Sequence, residues 1–230
     1  MSQSTGSDRS CRVCQFPSTL FYRDTRTFFK CSNCSLIFTN DLPEKAAEEN
    51  HYKTQWQTTD PDFWGSQATG LISYIEKYGI LPNNHRILDF GSGSGELAQE
   101  LQRRGYRVTA LEPMTDGYLT DQNYPFLFDA VVAIEVIEHL PNVWEELQEI
   151  EKVLKPEGKI VVSTRLTNPF IDLPDAVEQF KEWWYKDDPT HISFFCNQTL
   201  SVMAEMKNYS IEIFGDKVFV IKSGEPIEQL

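Results

Sequence analysis

A glycine-rich turn between a strand and a helix constrains this chain more than any other stretch. Leu88-Asp89-Phe90-Gly91-Ser92-Gly93-Ser94-Gly95-Glu96 follows the apolar run Arg86–Phe90 and opens a helix over 96–104, with Leu97 and Leu101 on one face and Gly105 closing it. Glycines there let the backbone turn sharply and approach a ligand closely. The next strand, Arg107–Leu111, ends at Glu112, 17 residues beyond Gly95, where a carboxylate can accept both hydroxyls of a ribose. Strand, loop, helix, strand, acid builds a ligand crevice at the carboxyl ends of parallel strands. The plainer reading of Gly93 and Gly95 is turn geometry alone.

The alternation continues. Leu71, Ile72, Ile75 and Tyr78 have helical spacing, with a stop at Gly79 and Pro82. A strand is expected at 129–134, then a helix capped by Asn142 with Val143, Leu147, Ile150 and Leu154 inward, ending at Pro156 and Gly158. A strand at 159–164, a helix at 199–207 and a C-terminal antiparallel hairpin with a Gly215-Asp216 turn complete the pattern. Strands alternating with helices mean an α/β fold with a largely parallel sheet. Residues 1–9 read as a disordered polar tail, 10–42 as a cysteine module, 43–70 as a linker with one short helix, and 71–230 as the main domain.

Leu88–Glu96 resembles the first motif of class I S-adenosylmethionine-dependent methyltransferases, a Rossmann-like family. Asp129-Ala-Val-Val-Ala-Ile-Glu-Val-Ile-Glu-His-Leu140 and Leu154-Lys-Pro-Glu-Gly-Lys-Ile-Val-Val-Ser-Thr164 are similar to its fourth- and fifth-strand motifs. The dinucleotide-binding alternative favours G-x-G-x-x-G and lacks those later segments. The resemblance implies that Asp89, Gly91, Ser92, Gly93 and Gly95 cradle the methionine part and ribose of S-adenosylmethionine. It puts Glu112, with Pro113 beside it, at the ribose hydroxyls, and Glu135 at the methyl-transfer pocket. Glu135 and Glu138 also read as solvated acids at a helix start. Only 16 residues separate Glu112 from Asp129, too few for a further helix and strand, so the sheet is expected to be reduced at that edge. Adenine then has no evident acidic partner, and Met114, Phe126 and Leu127 all stand as candidates to cover it.

Cys11-x2-Cys14 and Cys31-x2-Cys34, sixteen residues apart, form a zinc-ribbon signature: four thiolates suit one tetrahedral zinc with no open position, hence a structural ion, one per chain. The chain begins without an apolar secretion signal, so a reducing, cytoplasmic setting is expected and disulfides are disfavoured. The module carries five basic residues, Arg9, Arg12, Arg23, Arg26 and Lys30, against Asp24 and Asp41. With Phe21, Tyr22, Phe28 and Phe29 interleaved, it reads either as a docking face for RNA or a carrier protein, or as a miniature core packed on the main domain. A four-cysteine module also precedes the methyltransferase domain of sugar C-methyltransferases and some ribosomal RNA methyltransferases, so the resemblance leaves the acceptor open.

Beyond the fifth strand, Trp183-Trp184-Tyr185-Lys186-Asp187-Asp188-Pro189-Thr190-His191-Ile192-Ser193-Phe194-Phe195 has no helical or strand period and reads as a pocket lid. His191 is the candidate base for an acceptor proton, or else caps the turn after Pro189; His139 is a second candidate. His51 and Cys196 read as structural. The net charge of −13 disfavours a polyanion, and no apolar run reaches the roughly 20 residues that span a bilayer. The expected activity is methyl transfer to a small-molecule acceptor of quinone, sugar-nucleotide or natural-product type. The alternatives are an RNA or protein methyltransferase docking through the ribbon, and a non-catalytic binding protein of the same fold. The intact glycines and Glu112 argue against the last. The oligomeric state is open.

Overall fold

The computed structural model describes residues 10–58, 61–82 and 85–223; the expected tail, 1–9, lies outside them. The chain opens with three short antiparallel strands, β1 (Ser18–Arg23), β2 (Thr27–Cys31) and β3 (Ile37–Thr39). Two helices follow, α1 (Lys45–Thr58) and α2 (Pro61–Lys77). The span 43–70, read from sequence as a linker with one short helix, therefore holds α1 and the first half of α2. The polar sequence of α1 carries no apolar stripe to announce it. Leu71, Ile72 and Ile75 of α2 are buried on the main sheet, and Gly79 ends the helix at φ +62°.

The main sheet is built from β4 (Arg86–Phe90), α3 (Glu96–Arg103), β5 (Arg107–Leu111), α4 (Pro113–Asp116), β6 (Phe128–Ile134), α5 (Val143–Val153) and β7 (Leu154–Ser163). After β7 come α6 (Ala176–Glu182), β8 (Ser193–Phe194), α7 (Asn197–Lys207), β9 (Tyr209–Phe214) and β10 (Val218–Ser223). Its strand order is β5-β4-β6-β7-β10-β9. β5, β4, β6 and β7 run parallel, and β10 and β9 close one side antiparallel. Strands covered on both faces need continuous apolar runs, and Ile87, Leu88, Val131, Val132, Val161 and Val162 are all almost fully buried. β5 is the far edge. Beyond it, 113–128 contains only the single turn of α4 and a 3-10 turn at Leu119–Asp121, so the sheet is reduced where the short spacing required it.

Two boundaries differ from the sequence reading. β7 begins at Leu154, not Lys159, because a register shift opposite Phe128/Ala130 lets the chain pair through Pro156 and Gly158. A Cβ on Gly158 would lie 2.8 Å from the Lys155 carbonyl oxygen, so only glycine fits this irregularity. The C-terminal hairpin turns through three residues, 215–217, with Gly215 at φ +68°, where a two-residue turn was expected.

The largest departure concerns 183–195. β8 pairs with β3, so the N-terminal module and the main domain share a four-stranded sheet, β1-β2-β3-β8. Tyr185, Ile192, Phe194 and Phe195 are almost fully buried, whereas Trp184, 62% exposed, faces outward with Asp187 and Pro189. This segment is core and not a lid. Its apparent lack of period arises because one short strand and a 3-10 turn at Trp184–Asp187 alternate within a few residues.

Candidate active site

β4 and β6 are neighbours, but the chain visits β5 on the far side of β4 between them. That reversal opens a crevice at the carboxyl ends of the strands. The glycine loop forms one wall. Gly91 and Ser92 both donate their N–H to the Leu111 carbonyl (2.9 and 3.2 Å), folding the loop over the end of β5. Gly91, Gly93 and Gly95 all have left-handed backbones, at φ +71°, +54° and +89°. Gly95 donates back to Ser92 (2.9 Å) and starts α3. At Gly91 no side chain fits, since a Cβ would lie 2.6 Å from Val136 Cγ2.

Two carboxylates line this wall. Glu112 caps α4, accepting Met114 N–H (3.1 Å) on Oε1 and Gly93 N–H (2.9 Å) on Oε2, with Pro113 at the first helical position. Each oxygen keeps a lone pair for a further donor. Asp89 is 2% exposed, and its Oδ2 has no hydrogen-bond partner among the described residues. Burial raises its pKa to about 7, opposed by a hydrogen bond from the Ala98 N–H and reinforced by the charge of Glu112. A buried carboxyl oxygen without a donor is costly unless a ligand supplies one. The orphaned oxygen, the three left-handed glycines and the double N–H hold on Glu112 together fit an aminoacyl-nucleoside such as S-adenosylmethionine. Of the adenine candidates, Phe126 lies under the Arg86 guanidinium at 4.1 Å. Arg86 is the first residue of β4, so Phe126 and the adjacent Leu127 sit at the amino-terminal end of the sheet, opposite the loop. That leaves Met114, next to Pro113, on the cofactor side.

The opposite wall begins at Glu135. β6 ends there in a left-handed turn, φ +53°, which is strained for a non-glycine residue and characteristic of functional sites. Glu135 is exposed, and its Oε2 accepts from the Tyr185 hydroxyl at 2.7 Å. The same hydroxyl contacts Glu138 Oε1 and lies 3.0 Å from Thr164 Oγ1. Glu138 is fully buried, not a solvated acid, and burial with the charge of Glu135 pushes its pKa well up. Tyr185 is a site residue that the sequence reading did not single out from its aromatic neighbours.

His191 is 6% exposed and joins this wall through the neighbouring backbone, where Ile192 N–H donates to the Glu138 carbonyl (2.9 Å). Its Nδ1 lies 2.7 Å from the Tyr185 carbonyl oxygen, and His139 Nδ1 lies 3.1 Å from the Thr190 carbonyl oxygen. A carbonyl only accepts, so His191 carries its proton on Nδ1 and keeps the Nε2 lone pair, whereas His139 Nδ1 lies 3.1 Å from the Tyr52 hydroxyl as well, which can donate or accept. The two imidazole centroids are 4.7 Å apart. Desolvation holds both imidazoles neutral, that of His139 down to about 3. His51, from α1, pairs with Asp188 Oδ2 at 3.2 Å, and Asp188 Oδ1 accepts from Thr190 N–H (2.9 Å), fixing the turn before His191.

The four cysteines converge at the other end of the shared core. Cys11 and Cys34 Sγ are 3.6 Å apart, Cys14 and Cys31 Sγ 3.4 Å, and all four lie within 4.8 Å of one another with no disulfide. Tetrahedral zinc at about 2.3 Å needs sulfurs about 3.8 Å apart, so the donor set fits. Part of the module's charges and rings meets the domain, while Arg12 bonds to Thr39 and Asn40 and Phe29 packs on Phe38 within the module. Arg26 donates to the Pro189 (3.3 Å), His191 (3.0 Å) and Lys186 carbonyls, and Lys30 to that of Ile171 (3.1 Å). Phe21, Tyr22 and Phe28 all meet Phe180 edge-to-face, with ring centroids 5.1–6.0 Å away. This favours the packed-core reading of the module over a docking face.

The fold and the crevice define a class I methyltransferase. The chain belongs to the S-adenosylmethionine-dependent methyltransferase family, whose model, described as "Methyltransferase domain", matches residues 63–212. It is 28% identical over 148 residues to a ubiquinone biosynthesis O-methyltransferase of Rickettsia bellii, covering 55% of this chain and 62% of that one. Against the enzyme of that name from Alkalilimnicola ehrlichii it is 31% identical over 107 residues, 36% of this chain and 43% of the other. The chain thus spans less than two thirds of the length of these curated relatives. A solved Burkholderia thailandensis 1,6-didemethyltoxoflavin-N1-methyltransferase shares the fold, with TM-score 0.52 and 13% identity over 86% of this chain and 95% of that one.

Proposed function

We propose that this chain transfers the methyl group of S-adenosylmethionine to a small-molecule acceptor held between the glycine loop and the 135–139 turn. The observation that carries the reading is the division of the crevice. Asp89, Gly91–Gly95 and Glu112 present cofactor-binding groups on one wall, while Glu135, Tyr185, Glu138, His139 and His191 gather acid–base groups on the other. Bound S-adenosylmethionine supplies a methyl carbon already labile on a sulfonium. The chain supplies the rest: Glu112 takes the ribose hydroxyls, Asp89 the cationic end of the methionine part, and the glycines allow close approach. The far wall orients the acceptor and accepts or shields its proton. The relatives' names point to a phenolic or quinone-type oxygen as the acceptor.

His191 serves the acceptor side through its Nε2 lone pair. The ribbon takes one structural zinc, which stabilises a segment too short to fold on its own core. No helix among the described residues is long and apolar enough to cross a membrane.

The test is incubation of the full chain with methyl-labelled S-adenosylmethionine and a metabolite extract, followed by identification of labelled products. A labelled small molecule is expected. His191→Ala should retain S-adenosylhomocysteine binding and lose about 10²–10⁴ in turnover. Label recovered only in RNA or protein would overturn the acceptor class.

A further inference from the structure

Just beyond β7 an exposed arginine lies on an exposed tryptophan, beside the far wall of the crevice. Glu135 N–H donates to the Ser163 carbonyl (2.8 Å), which holds the end of β7 against the turn that follows β6. The next residues are tied to the C-terminal hairpin: Thr164 N–H donates to the Lys217 carbonyl and Leu166 N–H to that of Asp216, both at 3.0 Å. Arg165, between them, is exposed, and Lys217 is half-buried. The Arg165 guanidinium sits 5.1 Å from the centre of the Trp184 ring. Trp184 is 62% exposed and meets the Tyr185 ring edge-to-face at 5.5 Å. The Tyr185 hydroxyl in turn holds Glu135. Among the described residues no carboxylate forms an ion pair with Arg165 or Lys217. Their charges act on Glu135, whose carboxyl is pushed up by desolvation and held down by hydrogen bonds with Tyr185 and Glu138 and by these two cations. A guanidinium laid on an aromatic ring keeps its N–H edge free, and that edge matches a carboxylate or a phosphate. The exposed indole adds a flat apolar surface beside it.

We propose that Arg165, Lys217 and Trp184 form the subsite that recognises the methyl acceptor, and that the acceptor is a planar ring compound carrying an anionic group, a carboxylate or a phosphate. The inference rests on the methyl-transfer reading and names the acceptor class within it. Arg165 and Lys217 take the anion, and the ring lies along Trp184. The group to be methylated is thereby directed past Tyr185 toward Glu135 and the glycine loop. A chain of net charge −13 otherwise repels an anionic acceptor, so these two cations also decide which acceptors enter. Neutral rings of the same shape keep the indole contact and lose the charge-assisted hydrogen bonds.

The experiment uses the full chain loaded with S-adenosylhomocysteine and titrated with benzoate, phenyl phosphate and benzamide. The nuclear magnetic resonance signal of the Trp184 indole N–H, assigned with Trp184→Phe, reports binding. At least one of the anions is expected to shift it with an affinity about tenfold or more above that of benzamide. The tighter of the two shows whether the natural anion is a carboxylate or a phosphate. Arg165→Gln with Lys217→Gln should bring the anions down to the affinity of benzamide, and Trp184→Ala should weaken all three probes alike. Arg165 and Trp184 are exposed and Lys217 half-buried, so these variants keep the fold. Benzamide binding as tightly as both anions would overturn the proposal. So would a preference for anions that survives the double variant, or no shift of the Trp184 signal by any probe. S-adenosylhomocysteine binding is measured on the same samples. If it persists while the preference is absent, the acceptor subsite alone is wrong; if it is absent too, the methyl-transfer reading fails with it.

Discussion

Gly91 and Val136 touch across the crevice, so closely that a Cβ on the glycine would fall 2.6 Å from the valine Cγ2. This contact ties the cofactor loop to the turn that presents Glu135 and Glu138. Gly91→Ala must pay for the clash and for its left-handed backbone, the latter alone about 1–2 kcal/mol. It is expected to lower thermal stability and to weaken S-adenosylhomocysteine binding at least tenfold. Adding Val136→Ala removes the clash but not the backbone strain, so it should restore stability in part. Wild-type binding by Gly91→Ala would show that the loop does not approach the cofactor closely.

Asp89 gives a pH dependence of unusual sign. Its carboxyl titrates near 7 in the folded chain because it is buried, and near 3.9 when unfolded. Between those values the folded state binds more protons, so stability of the cofactor-free chain falls as pH rises from about 4 through 7. Asp89→Asn removes the ionisable group. Denaturant melts should find that the variant gains stability relative to wild type as pH rises from 4 to 8, with the larger advantage at pH 8. An equal difference at pH 4 and pH 8 would mean that Asp89 is not held against ionisation.

The ribbon and the domain should lose structure together. Trp144 Nε1–H donates to the Val13 carbonyl (2.8 Å), Thr199 Oγ1–H to that of Cys34 (2.8 Å), and β3 pairs with β8. Metal analysis is expected to return zinc bound at the cysteines, and its chelation or Cys31→Ser should expose amides both in 10–40 and in 183–196. Hydrogen exchange measures this directly. Loss of protection confined to the first 40 residues would mean that the shared sheet does not couple the two parts.

The parts legible in the sequence were those with local signatures. The glycine loop, Glu112 at the end of its strand, the paired cysteines and the shortened 113–128 span all depend on spacing within a few residues, and the fold preserves that spacing. What was hidden depends on distant partners. Nothing local marks Ser193-Phe194 as the fourth strand of the N-terminal sheet, because its pairing partner, β3, lies about 155 residues earlier. Tyr185 looked like one aromatic among several; only the fold sets its hydroxyl between Glu135 and Glu138. Phe126 and Leu127 were plausible over adenine until strand direction put them at the other end of the sheet.

Calorimetric titration of the wild type and Glu112→Ala with S-adenosylmethionine, S-adenosylhomocysteine and NAD tests the central claim most directly. The account predicts micromolar or tighter binding of the two sulfur nucleosides and none of NAD. For Glu112→Ala it predicts a loss of about 1–3 kcal/mol, because ribose hydroxyls are left unpaired in a closed site. Preference for NAD, or unchanged affinity in the variant, would contradict it.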